Sequence, residues 1–183
     1  NISNIILAWW PKIIKEPVLS LPNNGIINFH PSYLPNNRGK DANFWSIVEE
    51  VPFGVSLIMI DRSIDGGDII YQKKINSTWE DTGETLYKKG LNEIIKLFME
   101  NYENIRIGNY SKNKQKLSEG TFHYRKELEP KSEIYLDKKY KARDLINLLR
   151  ARTFPPHPSC YFFDEGEKYA IKIEIVNITN KKY

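Results

Sequence analysis

Cysteine is nearly missing from this chain. Cys160 is the only one among 183 residues, which excludes a disulfide framework and any zinc site built from several cysteines of one chain. Three histidines are present, and nothing in the sequence has the donor spacing of a metal centre, so no metal is expected. No apolar run approaches the roughly 18 residues that a membrane-crossing helix needs. No basic segment leading into an apolar stretch marks a secretory leader, so the expectation is a soluble, reducing, cytoplasmic setting with no membrane partner. In that setting Asn76-Ser77-Thr78 and Asn177-Ile178-Thr179 match the glycosylation pattern by chance. A strong excess of one charge is also lacking. The net charge of +4 tolerates an anionic ligand but is weak ground for nucleic-acid binding, and no nucleic-acid partner is expected. An initiator Met is absent as well. The chain opens Asn1-Ile2-Ser3-Asn4 and passes at once into an apolar run, which reads as a larger domain whose first part is missing.

What is present makes a globular core. Hydrophobic residues make up 40% and aromatics 13%, and a chain of this length buries about 70% of its unfolded surface. Ile5 to Ala8 and Gly25 to Phe29 are short apolar runs that suit strands buried on both faces of a parallel sheet. A short crossover from Trp10 to Leu19 joins them. Ala42 to Glu49 carries a helical apolar face ended by Pro52. Val55–Ile60 and Ile69–Ile75 read as two further strands joined by Asp61–Asp68. Asp81-Thr82-Gly83-Glu84 has helix-start spacing, and Tyr87, Leu91, Ile94, Phe98 and Tyr102 form the stripe of the helix that follows. Strands alternating with helices indicate an α/β sheet. Composition changes after Tyr110. Lys112 to Gln115 reads as a linker, which divides the chain into a core over 1–112 and a small α+β module over 113–183. The module has a helix near Ala142–Ala151 that buries Leu145, Ile146, Leu148 and Leu149. Strands Cys160–Phe163 and Tyr169–Ile175 then turn at Glu165-Gly166.

The informative stretch runs from Gly25 to Pro35. Residues two apart on a strand share a face, so Asn28 and His30 point the same way. Pro31 cannot continue a ladder, which leaves both at the strand's carboxyl end, where open α/β sheets bind ligands. Asp65-Gly66 is an ordinary hairpin signal, but a carboxylate there, brought near His30, would hold the imidazole's tautomer. An amide, an imidazole and a carboxylate together suit reaction at a carbonyl: the amide donates to a developing oxyanion, the imidazole handles the proton, and the carboxylate orients it.

Asn28-x-His30-Pro31-Ser32-x-Leu34-Pro35, with Gly54-Val55-Ser56 and Ile64-Asp65-Gly66-Gly67-Asp68-Ile69, resembles the folate-dependent formyltransferase family over roughly Asn4 to Ile75. The resemblance implies a Rossmann-like α/β core with its N-terminal βα units missing here. It also implies transfer of a formyl group from N10-formyltetrahydrofolate to an amine. Asn28 and His30 would then stabilise the oxygen of a tetrahedral intermediate, with Asp65 assisting His30 and proton removal. Leu7, Trp10, Lys12, Ile14 and Gly66 correspond to the segments that hold the folate, although Trp9 and Trp10 read equally as core residues. Ile58 stands where some purine-pathway relatives carry His, which argues against a purine substrate.

Residues 111–183 separate the subfamilies. Methionyl-tRNA formyltransferases append a barrel, whereas Leu149 to Pro158 with Tyr161-Phe162 resembles the C-terminal module of enzymes that formylate dTDP-linked amino-dideoxy sugars for surface polysaccharide. A nucleotide-linked amino sugar is therefore the expected acceptor. Methionyl-tRNA is the alternative, as is an inactive fragment or a folate- or nucleotide-binding module. Pro155, Pro156 and Pro158 stiffen a loop that is either a connector or a wall of the sugar pocket. Arg38 is either a phosphate ligand or a solvated loop residue, while His123 and His157 read as non-catalytic. The C-terminal hairpin offers an edge strand for a homodimer.

Overall fold

The computed structural model describes residues 2–10 and 12–179; Pro11 of the first crossover lies outside them. Among the described residues the main sheet has four strands. Two of them, β1 (Ile5–Leu7) and β2 (Ile26–His30), run parallel. Short β3 (Arg38–Gly39) lies outside this sheet, and β4 (Phe53–Met59) and β5 (Ile69–Ile75) complete it in the order β1-β2-β4-β5. The β2–β4 and β4–β5 pairs are antiparallel. The fold is thus the expected α/β class: β1–β2 has the parallel pairing that its two apolar runs suggest, and Asp61–Asp68 closes the β4–β5 hairpin. β4 is buried along its whole length, as a central strand covered on both faces must be. β1 is not: it pairs on one side only, and Ile6 is 36% exposed.

Helix α1 (Ala42–Val48) and helix α2 (Gly83–Ile107) pack on β4 and on each other. The cap of α2 is Thr82 rather than Asp81. Thr82 Oγ1 accepts from Thr85 N at 3.2 Å, and Thr85 Oγ1 accepts from Thr82 N at 2.9 Å, a reciprocal box that satisfies two end donors. The buried stripe of α2 is Leu86, Gly90, Ile94, Leu97 and Ile105, while Tyr102 of the expected stripe is exposed. The rotation has a local cause. Gly90 lies against Phe53, where even a methyl group would sit 3.2 Å from the ring.

In the C-terminal half, β6 (Phe122–His123) pairs parallel with β3. Helices α3 (Leu128–Lys131) and α4 (Ala142–Ala151) precede a hairpin of β7 (Cys160–Asp164) and β8 (Glu167–Ile171). The hairpin turns at Glu165-Gly166, both with positive φ, as a two-residue turn matched to strand twist requires. β8 ends at Ile171, short of the expected Ile175. Helix α4 packs on α1 and α2, and Leu148, Ala151 and Cys160 belong to the same buried cluster as Val55, Leu57 and Ile94. Within α4, Ile146 is exposed rather than buried. Asn147 and Arg150 are buried instead, because the Arg150 guanidinium donates to Asn147 Oδ1 and to the carbonyls of Thr78 and Asp81. Residues 112–115 are tied down rather than linker-like. Asn113 exchanges two backbone hydrogen bonds of 2.9 Å with Ile69, and Gln115 is buried. No described helix is long and apolar enough to cross a membrane.

Asp81 anchors the start of α2. Burial pushes its carboxyl up, but hydrogen bonds from Lys89, Thr78 N and Thr85 outweigh burial and hold it below its ordinary 3.8. A depressed carboxyl stabilises the fold above its unfolded value, and that contribution is lost as pH falls through the folded one. Asp81→Asn is expected to cost about 1–3 kcal/mol in denaturant unfolding at pH 7. The gap from wild type should close as the pH is taken below 3.8. A gap that stays constant with pH would remove Asp81 from this role.

Candidate active site

Strand β2 delivers Asn28 and His30 to its carboxyl end, opposite Ile58 and Ser56 of β4. Beyond Pro31 the chain turns away and is pinned through Ser56. The Ser56 hydroxyl donates to Ser32 O at 2.8 Å and accepts from Leu34 N and from Gln72 Nε2. Gln72 Nε2 also donates to Leu34 O at 2.8 Å. His30 is 5% exposed. Its Nδ1 lies 3.5 Å from Asp65 Oδ1, while its Nε2 is buried with no hydrogen-bond partner among the described residues. Asp65 sits at φ 51, in the left-handed region, and its Oδ2 accepts from Gly39 N at 3.0 Å. Asp65 is thus held between a ring nitrogen and a backbone amide. Gly39 owes its place to a close approach, since a Cβ there would lie 2.2 Å from His123 O. Gly67 closes the loop in the same way, its missing Cβ leaving room for Met59 O.

Two clefts meet here. The more polar of the two, a cleft of about 600 Å³, is lined by Asn28, His30 and Asp65, by Lys40, Asp41, Arg125 and Arg152, and by Tyr87, Phe154, His157 and Pro158. A second cleft of about 370 Å³ is lined by Leu7, Trp10, Lys12, Ile13, Ile14, Ile58 and Ile60. Trp10, Asn28, Gly39, Lys40, Asp65 and Arg125 border both. Asn28 and Asp65 therefore stand where the two spaces join. In the polar cleft Asp41 pairs with Arg125. Burial pushes its carboxyl up, and Arg125, Arg152 and Lys40 pull it back.

Four of the five expected folate contacts, Leu7, Trp10, Lys12 and Ile14, line the apolar cleft. Gly66 borders neither cleft and packs against the Ser63 side chain. Trp9 and Trp10 are 44% and 53% exposed, so neither is a core residue; Trp9 sets its edge on Phe29. The Pro155–Pro158 loop contributes His157 and Pro158 to the polar cleft, which makes it a wall rather than only a connector. Arg38 lines neither cleft and donates to Leu117 O. His123 stacks on Trp45 at 3.8 Å between Glu49 and Glu127, in a structural position. Among the described residues no group of three or more His, Cys, Asp or Glu could hold a metal. The pattern gave no site role to Gly39, Gln72 or Arg125, carried Ser56 and Arg152 only inside longer motifs, and read Tyr87 as part of a helix stripe. Gly39 acts through its backbone, and the others reach the site from distant segments.

The Formyl transferase family profile matches residues 1–101, and the N-formyltransferase dimerization C-terminal domain profile matches residues 127–177. A methionyl-tRNA formyltransferase of Caldanaerobacter subterraneus subsp. tengcongensis is 32% identical over 174 residues, which is 94% of this chain and 55% of that protein. The chain spans about half the length of these curated methionyl-tRNA formyltransferase relatives. A 4-N formyltransferase from Francisella tularensis superposes with a TM-score of 0.86 at 28% identity, over 96% of this chain and 71% of that one. A formyltransferase from Anoxybacillus kamchatkensis, solved with UDP-4,6-dideoxy-4-formamido-L-AltNAc and tetrahydrofolate, gives 0.67 at 35% identity over 79% and 74%. A family match over residues 1–101 takes in Asn28, His30 and Asp65 together, and the chain belongs to the formyl transferase family.

Proposed function

We propose that this chain carries the site of an N-formyltransferase that moves a formyl group from N10-formyltetrahydrofolate to the amine of a nucleotide-linked amino sugar. The observation that carries the reading is the junction of two unlike clefts at Asn28 and Asp65, with His30 in the polar one. A transferase needs its two substrates to meet at the reacting carbon, and each cleft suits one of them. The apolar cleft fits a flat ring system: Leu7, Ile14 and Ile58 supply walls, the exposed Trp10 indole a stacking face, and Lys12 a cation for an acidic tail. The folate supplies the activated formyl group. In the polar cleft, Lys40, Arg125 and Arg152 suit a diphosphate, and Tyr87, Phe154 and His157 suit a base.

The residues then divide the work. The attacking amine must lose a proton, and His30 Nε2, the ring nitrogen without a partner, is placed to take it. Asp65 faces Nδ1, fixes that tautomer and stabilises the imidazolium that forms. The Asn28 amide and the protonated imidazole donate to the formyl oxygen as negative charge develops there. When the intermediate collapses, the bond from the formyl carbon to folate N10 breaks, and the imidazolium returns its proton to the departing nitrogen.

The family profile over residues 127–177 names a dimerization domain. A homodimer through this segment goes with the exposed Phe163 and Tyr169 of the β7–β8 hairpin. Methionyl-tRNA remains the second reading on the strength of the 32% identical relative.

The assay is formyl transfer by the full-length protein to dTDP- and UDP-linked amino sugars and to methionyl-tRNA, read by mass spectrometry of the acceptor. One formyl mass on an amino sugar is the expected result, and transfer to methionyl-tRNA alone would replace the sugar reading. His30→Ala and Asp65→Ala are each expected to lower kcat by about 10²–10⁴ while unfolding like wild type, and Asn28→Ala by about 10²–10³. Near wild-type turnover in the His30 or Asp65 variant would overturn the assigned roles.

A further inference from the structure

We propose that Gln115 is a positioning residue for Asp65, an inference that rests on the catalytic role given to Asp65 above. Gln115 is 7% exposed. Its one amide nitrogen donates to two carbonyls of the catalytic loop, Asp65 O at 2.9 Å and Gly67 O at 2.7 Å, so both amide protons are used. These carbonyls lie on either side of Gly66, and the amide clamps the loop across it. The amide cannot be reversed, because its oxygen would then face two acceptors. In the orientation present Oε1 is buried and has no partner among the described residues, so what the side chain contributes here is its two donors.

The clamp acts where the loop needs it. Asp65 holds φ 51 without being glycine, a conformation that persists only where its surroundings over-determine it. Gln115 holds its carbonyl from one side, and Gly39 N and His30 Nδ1 engage its carboxylate from the other. Gln115 is itself fixed, because Asn113 is bonded in both directions to Ile69 at the start of β5. It touches neither cleft itself, so it acts on the reaction through the loop it clamps, which carries Asp65.

Gln115→Met removes both donors at similar volume, and Gln115→Asn withdraws the amide by one methylene if the first variant folds poorly. A carboxylate displaced by about 1 Å lowers kcat about 10- to 100-fold with KM for both substrates within about twofold. The second readout needs no turnover. The imidazole nitrogen-15 shifts of His30 at neutral pH should move from a single tautomer, Nδ1–H, toward a mixture. Loss of thermal stability with kcat of the folded protein and the His30 shifts unchanged would mean that Gln115 only ties the fold together, and would overturn the proposal. A wild-type protein that transfers no formyl group would remove the reading of the site, while the His30 shifts would still decide whether Gln115 sets the Asp65–imidazole geometry.

Discussion

A buried imidazole with one nitrogen committed and one open is the constraint around which this molecule is arranged. His30 is almost out of contact with water, so its tautomer and ring orientation are set by neighbours rather than solvent. The only carboxylate facing its ring among the described residues, Asp65, comes from a different strand connection. Strand β2 must therefore end at His30, and the β4–β5 loop must come back far enough to present Asp65. Antiparallel pairing sets the end of β4 beside Ile27 at the amino end of β2, so the Asp61–Asp68 loop reaches back along β2 to bring Asp65 to His30. The Ser56–Gln72 hydrogen bonds fix the segment after His30, and Gly39 N fixes the carboxylate.

Much of this was legible in the residues. Asn28 and His30 share a strand face by spacing alone, and Pro31 marks the strand end. Asp65-Gly66 marks the turn that brings the carboxylate back. The main-sheet strands and helices along 26–107 could be read because their apolar patterns are strong; short β3 could not. What could not be read depended on tertiary context. The stripe of α2 is rotated because Gly90 admits Phe53, a contact with no sequence signal of its own. The inward side of α4 carries Asn147 and Arg150, polar residues that are buried because they satisfy each other and the carbonyls at the start of α2. A hydrophobicity pattern cannot anticipate a buried guanidinium whose partners lie some seventy residues away.

The segment after α2 shows the same limit more sharply. Ser111 to Gln115 is rich in Lys, Ser and Asn, the composition of a solvated connector. Its backbone is nevertheless added to the edge of β5, and one side chain is carried under the loop that holds Asp65. Composition reports how residues fare in water on average. It does not report that a single amide donor pair meets two carbonyls left over by a tight turn.

The C-terminal half is consequently tied to the chemistry by more than one route. Arg125, Arg152, Phe154 and His157 line the polar cleft, β6 supplies the partner that holds β3, and β3 supplies Gly39. His123, gripped between Glu49 and Glu127 and stacked on Trp45, fixes β6 against α1. A carboxylate oriented by a backbone amide on one strand inherits the precision of whatever that strand is paired to. Here that pairing begins in the segment where composition suggested a separate small module. The position of the acid that serves His30 is thus set jointly by the sheet and by the chain that follows it.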